Sequence, residues 1–173
     1  MLPKIKPLLI LDLDETLIHA TTRKLNYKET YLFERYFVYT RPHLNWFLNE
    51  ISNHFRIGVW SAADENYVSA IVAQILPNNL KLEIMWGQSW CNYNYDNENN
   101  TYVYEKKLNE LTKLNFKLNE IILVDDSLHN IKLNGGNAIF IRPFTGDQND
   151  QELKILFDNL VTFKDTAELK NID

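Results

Sequence analysis

Cysteine is nearly absent. Cys91 is the only one in 173 residues, so no intramolecular disulfide can form, and a reducing compartment with a buried, inert thiol is the natural expectation. Long hydrophobic runs are missing too, and nothing approaches the roughly 20 apolar residues needed to span a bilayer. The amino-terminal stretch MLPKIKPLLILDLDE has a charged start and a short apolar run, but the run ends in aspartates that a cleaved leader would discard, so no signal peptide is read. An excess of positive charge is also lacking. With 18 Lys and Arg against 23 Asp and Glu, the net charge is −5, which leaves no footprint for general nucleic-acid binding but still permits a basic local pocket. There is no internal repeat and no flexible interdomain linker. The histidines, His19, His43, His54 and His129, lack a metal-ligand spacing such as H-x-x-x-H and read as structural or surface groups. The expectation is a soluble, intracellular chain, cytoplasmic or nuclear, without membrane contact.

What is present is the making of a globular core: 45% hydrophobic residues and 13% aromatics in a length that fits one domain. The stretch that organises the rest is LLILDLDETLIH, Leu8 to His19. Four apolar residues run into Asp12, and Asp14 and Thr16 follow at steps of two. An uninterrupted apolar run of this length reads as a strand buried on both faces of a parallel sheet. Such strands present their carboxyl ends to the crevice where open α/β sheets bind ligands. Two carboxylates clustered there call for something positive between them, a metal ion or a phosphate-binding cation. A bare acidic turn is the bland alternative, and the surrounding pattern outweighs it.

Further along, residues 17–29 read as a polar connection and Tyr31 to Thr40 as one extended segment. Pro42 to Phe55 reads as a helix with Leu44, Phe47, Leu48, Ile51 and Phe55 inward. RIGVWS, residues 56–61, is a second buried strand. Asp64 caps a helix whose apolar face is Tyr67, Val68, Ile71, Val72 and Ile75, and Pro77 stops it. Leu82 to Trp86 is strand-like. The asparagine-rich stretch Gly87 to Thr101 reads as an exposed hairpin with a mobile tip, so an inserted hairpin is expected over about residues 82–104. Glu105 to Leu114 reads as helical, Ile121 to Val124 as a third strand ending in Asp125 and Asp126, then a helix closed by Gly135-Gly136, a strand over residues 138–141, and a last helix from Gln151 to Leu160. Strands alternating with helices predict an α/β fold, a doubly wound, mainly parallel sheet.

Three strand ends thus deliver polar groups, at Asp12, at Ser61 and at Asp125-Asp126, with Lys106 between the second and third. Carboxylates can hold Mg2+ through oxygen ligands. A serine, backbone N–H groups and a lysine can gather phosphoryl oxygens, and a carboxylate can act as nucleophile. Each residue also has a structural reading. Ser61 serves equally well as a strand-end turn cap; Lys106 has a neighbour, Lys107, and a solvated helix lysine is the default; Asp125 or Asp126 can cap the next helix. Arg41 reads as part of the helix-start packing, and Trp60, Trp86 and Trp90 as core or rim aromatics.

At this point the motifs match a known pattern. Asp12-Leu-Asp14-Glu-Thr16 resembles the D-x-D-x-T signature of haloacid-dehalogenase-like phosphatases. LDLDETLIHA, TRPHLNWFL, VWSAA, YEKKLNEL and LVDDS, in that order over residues 8 to about 160, resemble the branch containing RNA polymerase II C-terminal-domain phosphatases, the small-CTD-phosphatase or NLI-interacting-factor-like group. The resemblance implies one Rossmann-like domain over residues 1–173 and Mg2+-dependent phosphomonoester hydrolysis through an aspartyl-phosphate, most naturally on protein phosphoserine or phosphothreonine. It implies Asp12 as nucleophile and metal ligand, and Asp14 as general acid and then base, its carbonyl also on the metal. It implies Thr16 as loop brace, Ser61 and the Ala62 amide on the phosphoryl oxygens, and Lys106 neutralising charge. Asp126 is implied as the direct metal ligand, with Asp125 close behind. A phosphorylated protein or peptide is the implied partner. Two other readings stand beside it: the same chemistry on small-molecule or nucleic-acid-end phosphates, or a non-catalytic phosphatase-like binding module. The hairpin stretch matches no specific peptide-binding residues of the family.

Overall fold

Leu8–Leu11 (β1) lies at the centre of a five-stranded parallel sheet and is buried along its whole length. In this computed structural model, which describes residues 6–169, its neighbours are Arg56–Trp60 (β5) and Ile121–Asp125 (β9), with Leu82–Trp86 (β6) and Ala138–Phe140 (β10) at the two edges. The first five residues, which carry the charged start of the amino-terminal stretch, lie outside the described part. The fold is α/β, as the alternation of strands and helices predicts.

Period-two alternation divides the sheet's side chains between two cores. Leu9, Leu11, Ile57, Val59, Ile122 and Val124 face a cluster built with Leu44–Ile51 (α1), Glu65–Ile75 (α2) and Glu152–Leu169 (α5). Leu8, Ile10, Trp60, Ile121 and Leu123 face a second one, which includes Trp86, Leu108 and Leu111. From β1 the chain fills one side of the sheet with β5 and β6, then returns to fill the other with β9 and β10. The carboxyl ends of β5, β1 and β9 therefore lie side by side at the switch in winding direction, where such sheets open a crevice.

Two further sheets attach to this frame. Ile18–Thr21 (β2), Tyr31–Phe33 (β3) and Tyr36–Thr40 (β4) form an antiparallel sheet in the order β2-β4-β3. The expected single segment Tyr31 to Thr40 is thus a hairpin, turning at Glu34, whose φ is 49°. The expected connection 17–29 contains a strand, IHAT, with one fully buried residue and too little apolar alternation to announce itself. Asn92–Asp96 (β7) pairs with Thr101–Glu105 (β8) as the asparagine-rich hairpin. Its range corrects the expected insertion at 82–104, because residues 82–86 belong to the main sheet.

Three helix boundaries also move. The helix expected from Pro42 starts at Leu44, because His43 sits in the left-handed region (φ 68°), and it ends at Ile51, before Phe55. The helix expected over 105–114 shrinks to Asn109–Thr112 (α3): Glu105 is still paired with Asn92 in the hairpin, and Leu114 is exposed. The last helix extends beyond Leu160 to Leu169. Leu128–Asn134 (α4) is capped by Ser127, whose side chain accepts from the Asn130 N–H, so neither Asp125 nor Asp126 caps it.

One buried cation holds the loop after β1 to the carboxyl-terminal part. Arg41 is 1% exposed. It donates from Nε and Nη2 to both carboxylate oxygens of Asp150 (2.9 Å each), from Nη1 to the Thr16 carbonyl (2.9 Å) and from Nη2 to the Arg142 carbonyl (2.7 Å). The Phe144 ring packs beneath its guanidinium. Arg41 is therefore a structural residue at the start of the helix region, as its position implied. Burial works against the Asp150 charge, but Arg41 outweighs it and holds the carboxyl below its ordinary range. Arg41→Lys keeps the charge but loses the planar fork. Equilibrium denaturation at neutral pH should show a loss of about 3 kcal/mol, the lower end for disrupting a buried pair. Because the Asp150 pKa is lowered on folding, its contribution is present above the unfolded carboxyl value of about 4 and is lost as pH falls through the folded one. The gap between wild type and variant should narrow correspondingly on acidification, and a gap that widens there would contradict this account.

Candidate active site

The three strand ends bring their polar residues into one cluster. Asp12 follows β1 directly, its N–H donating to the Val124 carbonyl at 3.0 Å as an extension of the sheet. Asp125 closes β9, and Asp126 follows it. Carboxylate oxygens of Asp12, Asp125 and Asp126 lie within 4.8 Å of one another. Lys106 enters from the end of the hairpin, 2% exposed, and its ammonium bridges Asp12 Oδ1 and Asp125 Oδ2, the latter at 2.8 Å.

Electrostatics follow from the count of charges. Burial pushes the Asp12 carboxyl up to about 8; Lys106 opposes this, and Asp125 and Asp126 add to it. Burial, then Asp125 and Glu15, push Asp126 up to about 6. Lys106 is also buried, which disfavours its charge, yet Asp12 and Asp125 win and hold it above the ordinary lysine range. One ammonium among three acids leaves the site short of positive charge. Oxygen donors packed this closely, with a charge deficit between them, fit a hard divalent cation.

The three acids are not equivalent. Asp125 is fully buried, and protein donors occupy both of its oxygens: the Ser127 N–H on Oδ1 (2.8 Å), Lys106 and Asn130 Nδ2 (3.2 Å) on Oδ2. Asp126 is half-buried, and no side chain donates to it among the described residues. Lys107, the rival of Lys106, points away to Glu105 at 2.9 Å.

Asp14 lies apart from the three. Its Oδ1 accepts from the Tyr67 hydroxyl at 2.5 Å. Burial raises its pKa, and the Tyr67 bond pulls the other way. Thr16, implied as a loop brace, is fully buried, and its hydroxyl has no partner among the described residues. Its carbonyl braces the loop instead, through Arg41. Ser61 is buried at the end of β5, and its Oγ accepts from the Ala63 N–H at 3.1 Å. The N–H groups of Leu13, Asp14 and Ala62 have no acceptor among the described residues.

Sequence reasoning missed three contributors. Tyr67 was assigned to the apolar face of α2, and nothing in its spacing reveals the hydroxyl contact. Asn130 and Asn134, one turn apart on α4, grip the backbone around Lys106. Asn130 Oδ1 accepts from the Lys106 N–H (3.1 Å), Asn134 Nδ2 donates to the Lys106 carbonyl (2.7 Å), and Asn134 Oδ1 accepts from Leu108 (3.0 Å). Their i, i+4 spacing just after the acid pair was the available signal.

Beside Asp14 opens a cavity of about 550 Å³, walled by the β3–β4 turn on one side and the start of α2 on the other. Among the described residues no helix is long and apolar enough to cross a membrane.

Residues 7–171 match the family model described as NLI interacting factor-like phosphatase. A CTD small phosphatase-like protein 2 from Dictyostelium discoideum is 30% identical over 162 residues, covering 87% of this chain but only 26% of the relative. A putative CTD phosphatase-like protein, 355R, of Invertebrate iridescent virus 3 is 28% identical and covered over 97% of its length, against 92% of this chain. CTD nuclear envelope phosphatase 1 of Xenopus tropicalis is 25% identical, over 96% of this chain and 71% of the relative. Among solved structures, Fcp1, an RNA polymerase II CTD phosphatase, superposes with a TM-score of 0.60 at 18% identity, over 95% of this chain and 50% of the other; the fission yeast Fcp1 variant R271A bound to beryllium fluoride gives 0.59. That likeness is one of fold. With the family model matched over nearly the whole sequence, this chain belongs to the NLI interacting factor-like phosphatase family.

Proposed function

We propose that the protein is a Mg2+-dependent phosphomonoester hydrolase that works through an Asp12 phosphoryl intermediate, with phosphoserine or phosphothreonine in a polypeptide as substrate. The observation that carries the reading is the buried bridge from Lys106 to Asp12 and Asp125, with Asp126 beside it. Asp12, Asp126 and the Asp14 carbonyl would hold the cation, with Asp125 behind, because protein donors already engage both Asp125 oxygens. The bound cation would offset the repulsion among the carboxylates and draw charge from the phosphoryl oxygens.

The chain's own groups supply the rest. Lys106 engages Asp12 Oδ1, which leaves Oδ2 to attack phosphorus. As the Asp12 O–P bond forms, the bond from phosphorus to the seryl or threonyl oxygen breaks, and protonated Asp14 delivers its proton to that leaving oxygen. Burial raises its pKa above the ordinary carboxylate value, the direction that favours a proton-carrying role. Asp14 then takes a proton from water, whose oxygen attacks phosphorus and releases inorganic phosphate, restoring Asp12. The Ser61 hydroxyl and the open N–H groups of Leu13, Asp14 and Ala62 support binding of the equatorial phosphoryl oxygens, as such donors do wherever charge develops. A polypeptide substrate is supported by the names of the relatives, which are CTD phosphatases or resemble them.

Release of phosphate from p-nitrophenyl phosphate should require Mg2+, stop with excess chelator, and fall at least about a thousandfold in Asp12→Asn, some 4 kcal/mol of barrier. Metal-independent turnover, or full activity in the variant, would remove the aspartyl mechanism. Free sugar or nucleotide phosphates turned over much faster than phosphopeptides would move the substrate class to small molecules.

Burial raises the proton affinity of Asp14, and the Tyr67 hydrogen bond moderates it. A hydrogen bond donated to a carboxylate favours its charged form, so Tyr67→Phe should raise the Asp14 pKa further and carry the alkaline limb of the kcat/KM profile to higher pH. A limb that stays in place or moves down would exclude Asp14 as the acid it reports.

A further inference from the structure

Of the residues that line the cavity beside Asp14, the phosphate chemistry uses only Asp14 and, through its hydroxyl, Tyr67. Three aromatic rings, Phe33, Tyr36 and Tyr67, line it. They meet edge to face, Phe33 on Tyr67 at 5.3 Å and Tyr36 on Tyr67 at 6.3 Å between centroids. Four acidic side chains join them, of which Asp14 is the one the proposed mechanism protonates and Glu15 also pairs with His19 at 2.9 Å. Asp14 and Glu15 come from the loop after β1; Glu34 and Asp64, both exposed, come from opposite walls. No lysine or arginine lines the cavity among the described residues. We propose that this cavity receives a lysine or arginine side chain of the phosphorylated polypeptide, flanking the phosphorylated residue. The proposal rests on the phosphopeptide reading above.

Charge complementarity selects this occupant. Aromatic faces attract cations through their quadrupole, and carboxylates around the same space pair with the charged end, while the long aliphatic stem covers the rings. An apolar occupant such as leucine or proline would strip water from the carboxylates and return no hydrogen bonds. An acidic occupant would be repelled. The protein itself shows what one of these rings accepts: Arg35, outside the cavity lining, places its guanidinium 5.4 Å from the Tyr36 centroid. Glu34 adds a local argument. It stands at the β3–β4 turn with φ 49°, a conformation that glycine or asparagine adopts more easily, so the turn by itself does not call for glutamate. The cavity is continuous with the reacting centre because Asp14 lines it and Tyr67 both lines it and donates to Asp14.

The test uses phosphoserine peptides identical except for one position, walked over three residues on each side, that carries lysine, leucine or glutamate. At one position lysine should raise kcat/KM about tenfold over leucine, with glutamate below both, and high salt should compress the spread. Within each variant the lysine-to-leucine ratio is the readout, so changes in overall activity cancel. Glu34→Asn with Asp64→Ser, which suits the turn and retains the helix cap, should bring that ratio close to one, and Glu34→Lys should favour glutamate over lysine. Equal rates for lysine and leucine peptides at every position of the wild-type series would overturn the proposal without any variant. So would a ratio untouched by both sets of substitutions. Failure of the phosphatase reading is separable: if Mg2+-loaded protein turns over neither the peptides nor p-nitrophenyl phosphate, anisotropy of the same peptides, fluorescein-labelled, reads the Kd ratio directly. A lysine peptide bound more tightly than a leucine peptide upholds the cavity assignment, and equal affinities overturn it.

Discussion

The buried ammonium of Lys106 is the constraint around which the site is built. Asp12, Asp125 and Asp126 come together because parallel β1 and β9 end side by side, and three carboxylates at that spacing repel strongly in a medium of low dielectric. Lys106 comes from 94 residues beyond Asp12 in sequence and sits between two of them. An unpaired ammonium so deeply buried would cost several kcal/mol, and so would the acids without it. Neither partner is tolerable alone. Everything that fixes Lys106 in place therefore acts on the nucleophile candidate as well.

That requirement explains the asparagines of α4. Lys106 lies on a connection between the hairpin and the short helix α3, with no ladder of its own. Asn130 and Asn134 take its N–H and its carbonyl, and Asn130 also reaches Asp125. Side-chain amides offer both a donor and an acceptor, which is what a backbone segment without secondary-structure partners needs. On the other flank Arg41 plays a matching part for the loop after β1, where it collects the carbonyls of Thr16 and Arg142 and the Asp150 carboxylate. The Thr16 hydroxyl has no partner among the described residues, so its carbonyl, held by Arg41, is what ties this loop down.

The parts of this arrangement visible in sequence are those that depend on local pattern. LLIL, RIGVW and IILV are short, largely apolar runs that read as buried parallel strands, and the polar residues that follow them, Asp12, Ser61 and Asp125-Asp126, mark the crevice. The spacing of α1 and α2 gives their inward faces. Where tertiary pairing overrides local preference, the sequence misleads. Glu105 to Leu114 has helical spacing, but hairpin pairing claims its first residue and a side-chain cage claims the next ones. IHAT forms a strand only because β4 lies beside it. The choice of Lys106 over Lys107 does not follow from spacing and rests on the resemblance; in the structure Lys106 bridges two acids while Lys107 reaches out to Glu105. Tyr67 reads as a core aromatic, and its ring is part of that packing while its hydroxyl serves Asp14. A residue with two such parts is half legible.

Charge balance links the site to its surroundings. A phosphate monoester brings nearly two negative charges to a crevice that already holds three acids against one lysine, in a chain of net charge −5. Lys106 alone cannot make that approach favourable. A divalent cation among the carboxylates would supply part of the deficit. The acidic, aromatic cavity beyond Asp14 does nothing for the phosphate, and an isolated phosphate would be held only at the Lys106 end. A polypeptide that carries phosphate and a basic side chain a few residues apart matches both ends at once, and the attraction at the cavity offsets the repulsion felt by the phosphate. Selectivity for such a ligand then arises from the spacing between two unlike sites, neither of which need bind strongly by itself.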